Sequence, residues 1–181
     1  MRIAVYGGSF NPPHVGHAMV AGWVRWADRA DEVWLLPVYR HAFGKPLAPW
    51  STRLAMCEAL ARAVGPWVRV EPVEATLAGV SYTVRTLDVL SGRHPEHSFH
   101  LVVGADVLPQ APHWKDWPAI QARYAPIVVG RAGHGEVPDA PTFPEIASSD
   151  VRRRIAAGEP WAHLLPAGVV RIVKGEGLYL G

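Results

Sequence analysis

The chain has a single cysteine, Cys57. That excludes an intrachain disulfide and any cysteine-rich zinc site. Cys57 sits in an amphipathic run from Ser51 to Val64, where it is expected as a small buried side chain. Charge is scarce too: 19% of residues are charged and the formal net charge is +2. A nucleic-acid binder carries a stronger basic bias or a basic stripe. The local basic run Arg152-Arg153-Arg154 reads instead as a helix face or a phosphate site, so anionic small molecules fit better. No apolar run approaches the length of a membrane span. Met1-Arg2 leads straight into IAVYGG with no apolar leader, so a cytoplasmic location is expected. There is no internal repeat, low-complexity tract or linker. With 181 residues, 49% of them hydrophobic, one globular domain over 1–181 is expected. Two phosphate-binding fingerprints are also missing: no G-x-G-x-x-G follows a strand, and no G-x-x-x-x-G-K-[ST] loop occurs. A P-loop lysine therefore cannot supply the charge for a phosphate ligand.

What is present is an alternation of strand-like and helical periods. Strands are expected over Ile3–Tyr6, Glu32–Val38, Trp67–Val73, Phe99–Gly104 and Ala125–Gly130. Helices are expected over His17–Asp28, Thr52–Val64, from Ser81-Tyr82-Thr83 through VRTLDVL, over Val151–Ala157, and from Pro166 to Val173. The hydroxyls of Ser81 to Thr83 and of Ser148-Ser149 read as helix caps. The Pro-rich stretch Val137 to Pro144 reads as a loop, and the closing GEGLYLG trails off. This order predicts an α/β fold: a Rossmann-like, doubly wound parallel sheet with helices on both faces.

The chemistry concentrates in GGSFNPPHVGH, between the first strand and the first helix. Glycines let a backbone approach a ligand closely, and a helix N-terminus offers unpaired N–H groups and a positive dipole end. His14 and His17, three residues apart, share one helix face, with Gly16 leaving room for a substrate. Neutral or protonated imidazoles there can donate hydrogen bonds to phosphate oxygens. Taken alone, the pair also fits two surface residues or a partial metal site. An H-E-x-x-H zinc motif is excluded, because no Glu follows the first histidine.

GGSFNPPHVGH resembles the nucleotidyltransferase signature, a Gly-Gly-Ser-Phe-Asn-Pro turn followed by H-x-G-H. A second element of that superfamily, I-S-S-T-x-I-R, is matched by Ile146-Ala147-Ser148-Ser149-Asp150-Val151-Arg152, with alanine at the first serine. SYTVRTL, VVGADVLPQAPHWKDW and GLYLG are similar to the nicotinate mononucleotide adenylyltransferase branch. The resemblance implies transfer of AMP from ATP to nicotinate mononucleotide, releasing pyrophosphate, in NAD biosynthesis. It implies His17 on the α-phosphate, His14 on the triphosphate, and Ser149 and Arg152 on its β/γ end. Gly7, Gly8, Ser9, Phe10, Gly16, Gly104, Asp106 and Ser148 complete the implied ATP site. Ser81, Tyr82, Thr83, Trp114, Lys115 and Arg131 form the implied pyridine-nucleotide site, with Trp114 stacked on the ring and supported by Trp117. Trp23 and Trp34 are assigned to the core.

One segment departs from the family pattern. After the second strand many members carry P-P-H-K/R, whereas this chain reads PVYRHAFGKP, where Arg40, His41 and Lys45 stand as candidate phosphate contacts or solvated loop charges. The resemblance also implies Mg²⁺ arriving with ATP and held by phosphate and water, with no metal ligand from the protein. Small-molecule substrates are the expected partners, without nucleic acid or membrane, and a homo-oligomer is compatible. The alternatives are the same chemistry on nicotinamide mononucleotide, phosphopantetheine or another phosphorylated acceptor, and a non-catalytic nucleotide-binding or nucleic-acid-binding protein. A class I aminoacyl-tRNA synthetase fragment would be longer and carry a K-M-S-K-S loop.

Overall fold

The computed structural model describes residues 1–40, 44 and 46–180. Six strands form one parallel sheet: β1 (Arg2–Gly8), β2 (Glu32–Pro37), β3 (Val68–Val70), β4 (Ser98–Gly104), β5 (Ile127–Arg131) and β6 (Thr142–Phe143). Their spatial order is β3-β2-β1-β4-β5-β6, and every neighbouring pair is parallel. The helices are α1 (Val15–Trp26), α2 (Trp50–Val64), α3 (Thr83–Arg93), α4 (Trp117–Tyr124), α5 (Ser148–Ala156) and α6 (Ala167–Gly175).

Period-two alternation divides the core between the two sheet faces. Ala4, Val33, Leu35 and Val102 face one layer, where Val20 of α1, Met56 and Leu60 of α2, Val151 of α5 and Val169 of α6 cover them. Ile3, Val5, Trp34, Leu101 and Val103 face the other, closed by Leu87 and Leu90 of α3 and Ile120 of α4. Because helices cover both faces, the central strands are apolar at successive positions rather than at alternate ones. Trp34 is only 1% exposed and its indole N–H donates to Glu32 Oε2 at 2.8 Å. Truncating it would cost about 3–5 kcal/mol. Cys57 is buried as expected.

The chain leaves β1 toward β2 on one side and β4 pairs on the other, so the strand order reverses between β1 and β4. A crevice opens there, at the carboxyl ends Gly8 and Gly104, which is where open α/β sheets bind ligands.

Several boundaries differ from the sequence expectation, each for a local reason. The third strand stops at Val70, and Val73–Thr76 forms a 3-10 turn after Pro72, which has no N–H to donate. The fifth strand starts at Ile127 because Ala125 takes φ +26° and Pro126 follows. α4 was not expected; it is eight residues long, and its clearest local signal is Pro118 in its first turn. Thr142–Phe143 inside the Pro-rich stretch pairs with β5 as an edge strand instead of remaining loop. Neither predicted hydroxyl cap forms: the cap positions are Tyr82 for α3 and Ala147 for α5, without a side-chain bond. Trp23 is half-buried at the core margin, edge-on to Phe143 at 6.3 Å. The closing segment folds back, with Leu178 and Tyr179 packed against the core. Among the described residues, no helix is long and apolar enough to cross a membrane.

Candidate active site

β1 ends at Gly8 and the chain turns through Ser9 to Pro13 before α1 begins. His14 is the N-cap of α1, in extended conformation with φ −134° and ψ 174°, and His17 lies one turn on. The two imidazoles stack at 3.7 Å between centroids. The backbone N–H of His14 donates to His17 Nδ1 at 3.1 Å, which leaves Nε2 to carry the proton of a neutral His17. Phe10, 1% exposed, packs beside His17 at 4.9 Å between ring centroids. Burial, reinforced by the charge of Arg131, pulls the pKa of His14 down to about 4. Burial also holds His17 well below its ordinary value, with His14 and Arg131 adding to the effect. Both rings are therefore neutral near pH 7 and can offer N–H donors, not cations. Among the described residues, His14 Nδ1 is buried with no hydrogen-bond partner, an unusual vacancy for a polar atom.

Gly16 lines the cavity at this crevice, and its bareness also serves the packing around it. A Cβ there would meet His14 Nδ1 at 3.0 Å and Ile146 Cβ at 3.7 Å, so its bareness lets the His14 ring and the segment before α5 close on the helix. Gly104 has a parallel role: a Cβ would collide with Asp106 Oδ1, which folds back over the end of β4.

α5 brings the second motif to the same place. Ser148 and Ser149 are its first two residues, and their hydroxyls are not caps. Ser148 Oγ donates to the carbonyl of Pro12 at 2.8 Å, across 136 positions of sequence. Arg152 Nη1 donates to the carbonyl of Asn11 at 2.7 Å. These bonds hold the carbonyls of the turn. Among the described residues, no acceptor takes the backbone N–H of Ser9 or Phe10, as suits a turn built to meet an anion.

A cavity of about 400 Å³ results, lined by Ser9, His14, Gly16, His17, Gly104, Asp106, Ser148, Ser149 and Arg152 of the expected ATP site. Gly7, Gly8 and Phe10 are not part of its lining. Arg131, expected with the pyridine set, lines this cavity instead, paired to Asp106 at 2.7 Å and donating to the Ile146 carbonyl at 3.3 Å. Among the described residues Asp106 is the only carboxylate of the lining, and it is paired with Arg131. Among the described residues, the one group with metal-ligand spacing is His94, Glu96 and His97, just before β4 at the opposite end of the sheet.

The remaining pyridine-set residues lie outside that lining. Lys115 Nζ sits 4.7 Å above the Tyr82 ring, and Trp114 meets Trp117 edge-on at 5.8 Å, with Trp117 buried. Ser81 and Arg40 exchange two long bonds at 3.4 Å, from Ser81 N–H to the Arg40 carbonyl and from Arg40 N–H to Ser81 Oγ. Thr83 is half-buried at the start of α3. His41 and Lys45 lie outside the described residues.

Sequence reasoning gave no role to Asn11, Arg53 and Tyr179. Asn11, 3% exposed, accepts at Oδ1 from Ala48 N–H at 3.0 Å and from the Tyr179 hydroxyl at 2.8 Å. Burial pushes the Tyr179 hydroxyl up to about 12, so it remains a donor. Asn11 was visible within the quoted turn; Tyr179, 168 positions away, carried no signal.

The cytidylyltransferase-like family model matches residues 5–154. A "probable nicotinate-nucleotide adenylyltransferase" of Anaeromyxobacter sp. strain K is 50% identical over 99% of this chain and 97% of its own length. One from Myxococcus xanthus is 38% identical over 99% and 95%. The solved nicotinic acid mononucleotide adenylyltransferase of Plasmodium falciparum complexed with NaAD superposes with a TM-score of 0.81 at 17% identity, covering 98% of this chain and 97% of that one; at that identity it speaks for the fold. With both motifs meeting at one crevice and relatives matched end to end, this chain belongs to the cytidylyltransferase-like family, in its nicotinate-nucleotide adenylyltransferase branch.

Proposed function

We propose that the protein transfers AMP from ATP to nicotinate mononucleotide, giving nicotinate adenine dinucleotide and pyrophosphate, as a step of NAD biosynthesis. The observation that carries this reading is the meeting of His14 and His17 with Ser149 and Arg152 around one cavity at the strand ends. A phosphate monoester is already largely dianionic at pH 7, its second pKa being roughly 6. No general base is needed. One oxygen of the nucleotide phosphate attacks the α-phosphorus of ATP; the bond from that phosphorus to the bridging oxygen breaks, and the electron pair leaves with pyrophosphate. The protein's task is to hold two repelling anions in line and to stabilise charge growing on the leaving group.

His17 and His14, as neutral N–H donors, are assigned to the α-phosphate and the triphosphate. Ser149, the Arg152 N–H groups not held by Asn11 and the α5 N-terminus are assigned to the β/γ end. Mg²⁺ would come in on the oxygens of ATP and water, neutralising phosphate charge, since among the described residues the lining has no spare carboxylate. On the acceptor side Trp114 would stack on the pyridine, with Thr83, Lys115 and the backbone around Tyr82 on the carboxylate; the cation above Tyr82 favours nicotinate over the uncharged nicotinamide. In this reading the enzyme is cytoplasmic. The test is pyrophosphate release from ATP and Mg²⁺ with nicotinate mononucleotide, nicotinamide mononucleotide or phosphopantetheine in parallel. Preference for the first is expected. Preference for another would overturn the carboxylate assignment, and silence with all three would overturn the activity.

A further inference from the structure

Arg53, near the start of α2, is 2% exposed, and among the described residues no carboxylate pairs with it. A buried unpaired guanidinium is costly, and burial lowers the Arg53 pKa from its ordinary value. Its contacts show what it is held for. Nε donates to the carbonyl of Ala48 at 3.0 Å, and Nη1 donates to the carbonyls of Ser9 at 3.0 Å and Val38 at 2.8 Å. Its cation also lies 5.4 Å from the Trp50 ring. Those carbonyls belong to three separate segments: the phosphate turn after β1, the exit of β2 and the residues leading into α2. Ser9 lines the cavity itself, and Ala48 follows Pro46 and Leu47, which also line it.

A second buried ionisable group grips the same exit of β2. Glu74, 5% exposed, accepts from Tyr39 N–H at 2.9 Å and from Thr86 Oγ1 at 3.3 Å. The peptide group joining Val38 to Tyr39 is thus held at both ends, its carbonyl by the Arg53 guanidinium and its N–H by the Glu74 side chain. With Ser148 on Pro12 and Arg152 on Asn11, Arg53 makes a third side-chain donor to the turn, on the Ser9 carbonyl.

We propose that Arg53 is a positioning residue for the triphosphate, fixing the phosphate turn through the Ser9 carbonyl while tying it to the exit of β2 and the start of α2. It acts on the substrate only through that turn. A planar fork with donors in two directions can do this, and a lysine ammonium on a flexible stem cannot reproduce it. The inference rests on the adenylyl-transfer reading above.

The test uses Arg53→Lys and Arg53→Ala in the full chain, with kcat and KM for each substrate, thermal unfolding, and turnover with added guanidinium. For Arg53→Lys, kcat/KM for ATP should fall about 100-fold, the scale of a misplacement near 1 Å, in a protein still folded at the assay temperature. For Arg53→Ala, guanidinium at about 10–50 mM, below denaturing levels, should restore at least part of the loss, while sodium chloride at equal ionic strength should not. Wild-type-like turnover of Arg53→Lys, or losses in both variants that only follow the unfolded fraction, would overturn the proposal. Should the wild type itself fail to turn over, the activity reading fails separately. Arg53 is then judged by binding of a non-hydrolysable ATP analogue: a loss of about tenfold or more in Arg53→Lys supports it, and unchanged affinity overturns it.

Discussion

If His14 and His17 act as neutral donors, the pH dependence of catalysis must differ from that of a cationic site. The two rings stack at 3.7 Å, and two unit charges at that separation repel by about 4 kcal/mol at an effective dielectric of 20. Double protonation is therefore excluded near neutrality. Single protonation is opposed at each ring by burial first and then by the charge of Arg131. The profile of kcat/KM for ATP, at saturating second substrate, reports the groups of free ATP and of the enzyme form that binds it, the complex with the second substrate. It should stay within about twofold from pH 6.5 to 8.5, since a histidine with a pKa near 4 has no proton to lose there. Were an imidazolium of ordinary pKa required, only roughly 1% of the activity would survive at pH 8.5. His17→Ala should lower kcat by about 10²–10³-fold, the scale for loss of one oxyanion donor, without introducing a new alkaline limb. A wild-type profile falling tenfold per pH unit above 7 would refute the neutral-donor reasoning, and near-full turnover of His17→Ala would refute the role itself.

Three further outcomes follow from the same geometry. Replacing Trp114 with Ala should raise KM for the pyridine nucleotide about 3- to 10-fold at constant kcat, because stacking contributes equally in ground and transition states; unchanged kinetics would make Trp114 a packing residue above Trp117. In Gly16→Ala, the gain in helix propensity and the 3.0 Å approach of the new Cβ to His14 Nδ1 oppose each other, so unfolding free energy should change by less than about 1 kcal/mol. Its kcat/KM should nonetheless fall about tenfold as the His14 ring is displaced, and full activity would show that the ring has slack. For stability, the unfolded chain takes a proton on His14 near pH 6.5 that the folded chain refuses until about pH 4. Stability is thus intact above pH 6.5 and falls below it, by about 1.4 kcal/mol at pH 5.5 from His14 alone, toward about 3 kcal/mol below pH 4. Urea unfolding at pH 7.5 and 5.5 checks this, and a His14→Gln variant with the same acid sensitivity as wild type would refute it.

The sequence by itself determined the parts whose physics is local. Apolar runs such as Ile3–Val5 and Leu101–Val103, spaced by helical periods, dictate a parallel sheet covered on both faces. The spacing of His14 and His17 at a helix mouth, and of Ser149 and Arg152 at another, marks two helix starts as candidates for a phosphate site, and both line one cavity. Tertiary structure decided the rest, because those decisions depend on groups distant in the chain. Whether the imidazoles carry charge depends on burial and on Arg131, more than a hundred residues away. Whether Ser148 caps its own helix or bonds the Pro12 carbonyl depends on how closely α5 approaches the turn. The extent of α4 and of the edge strand β6 is settled by neighbours, since eight and two residues are too few to show a period. Arg53 is the clearest case: in sequence it is one more charge on a helix, and only folding buries it among three carbonyls that no local pattern brings together.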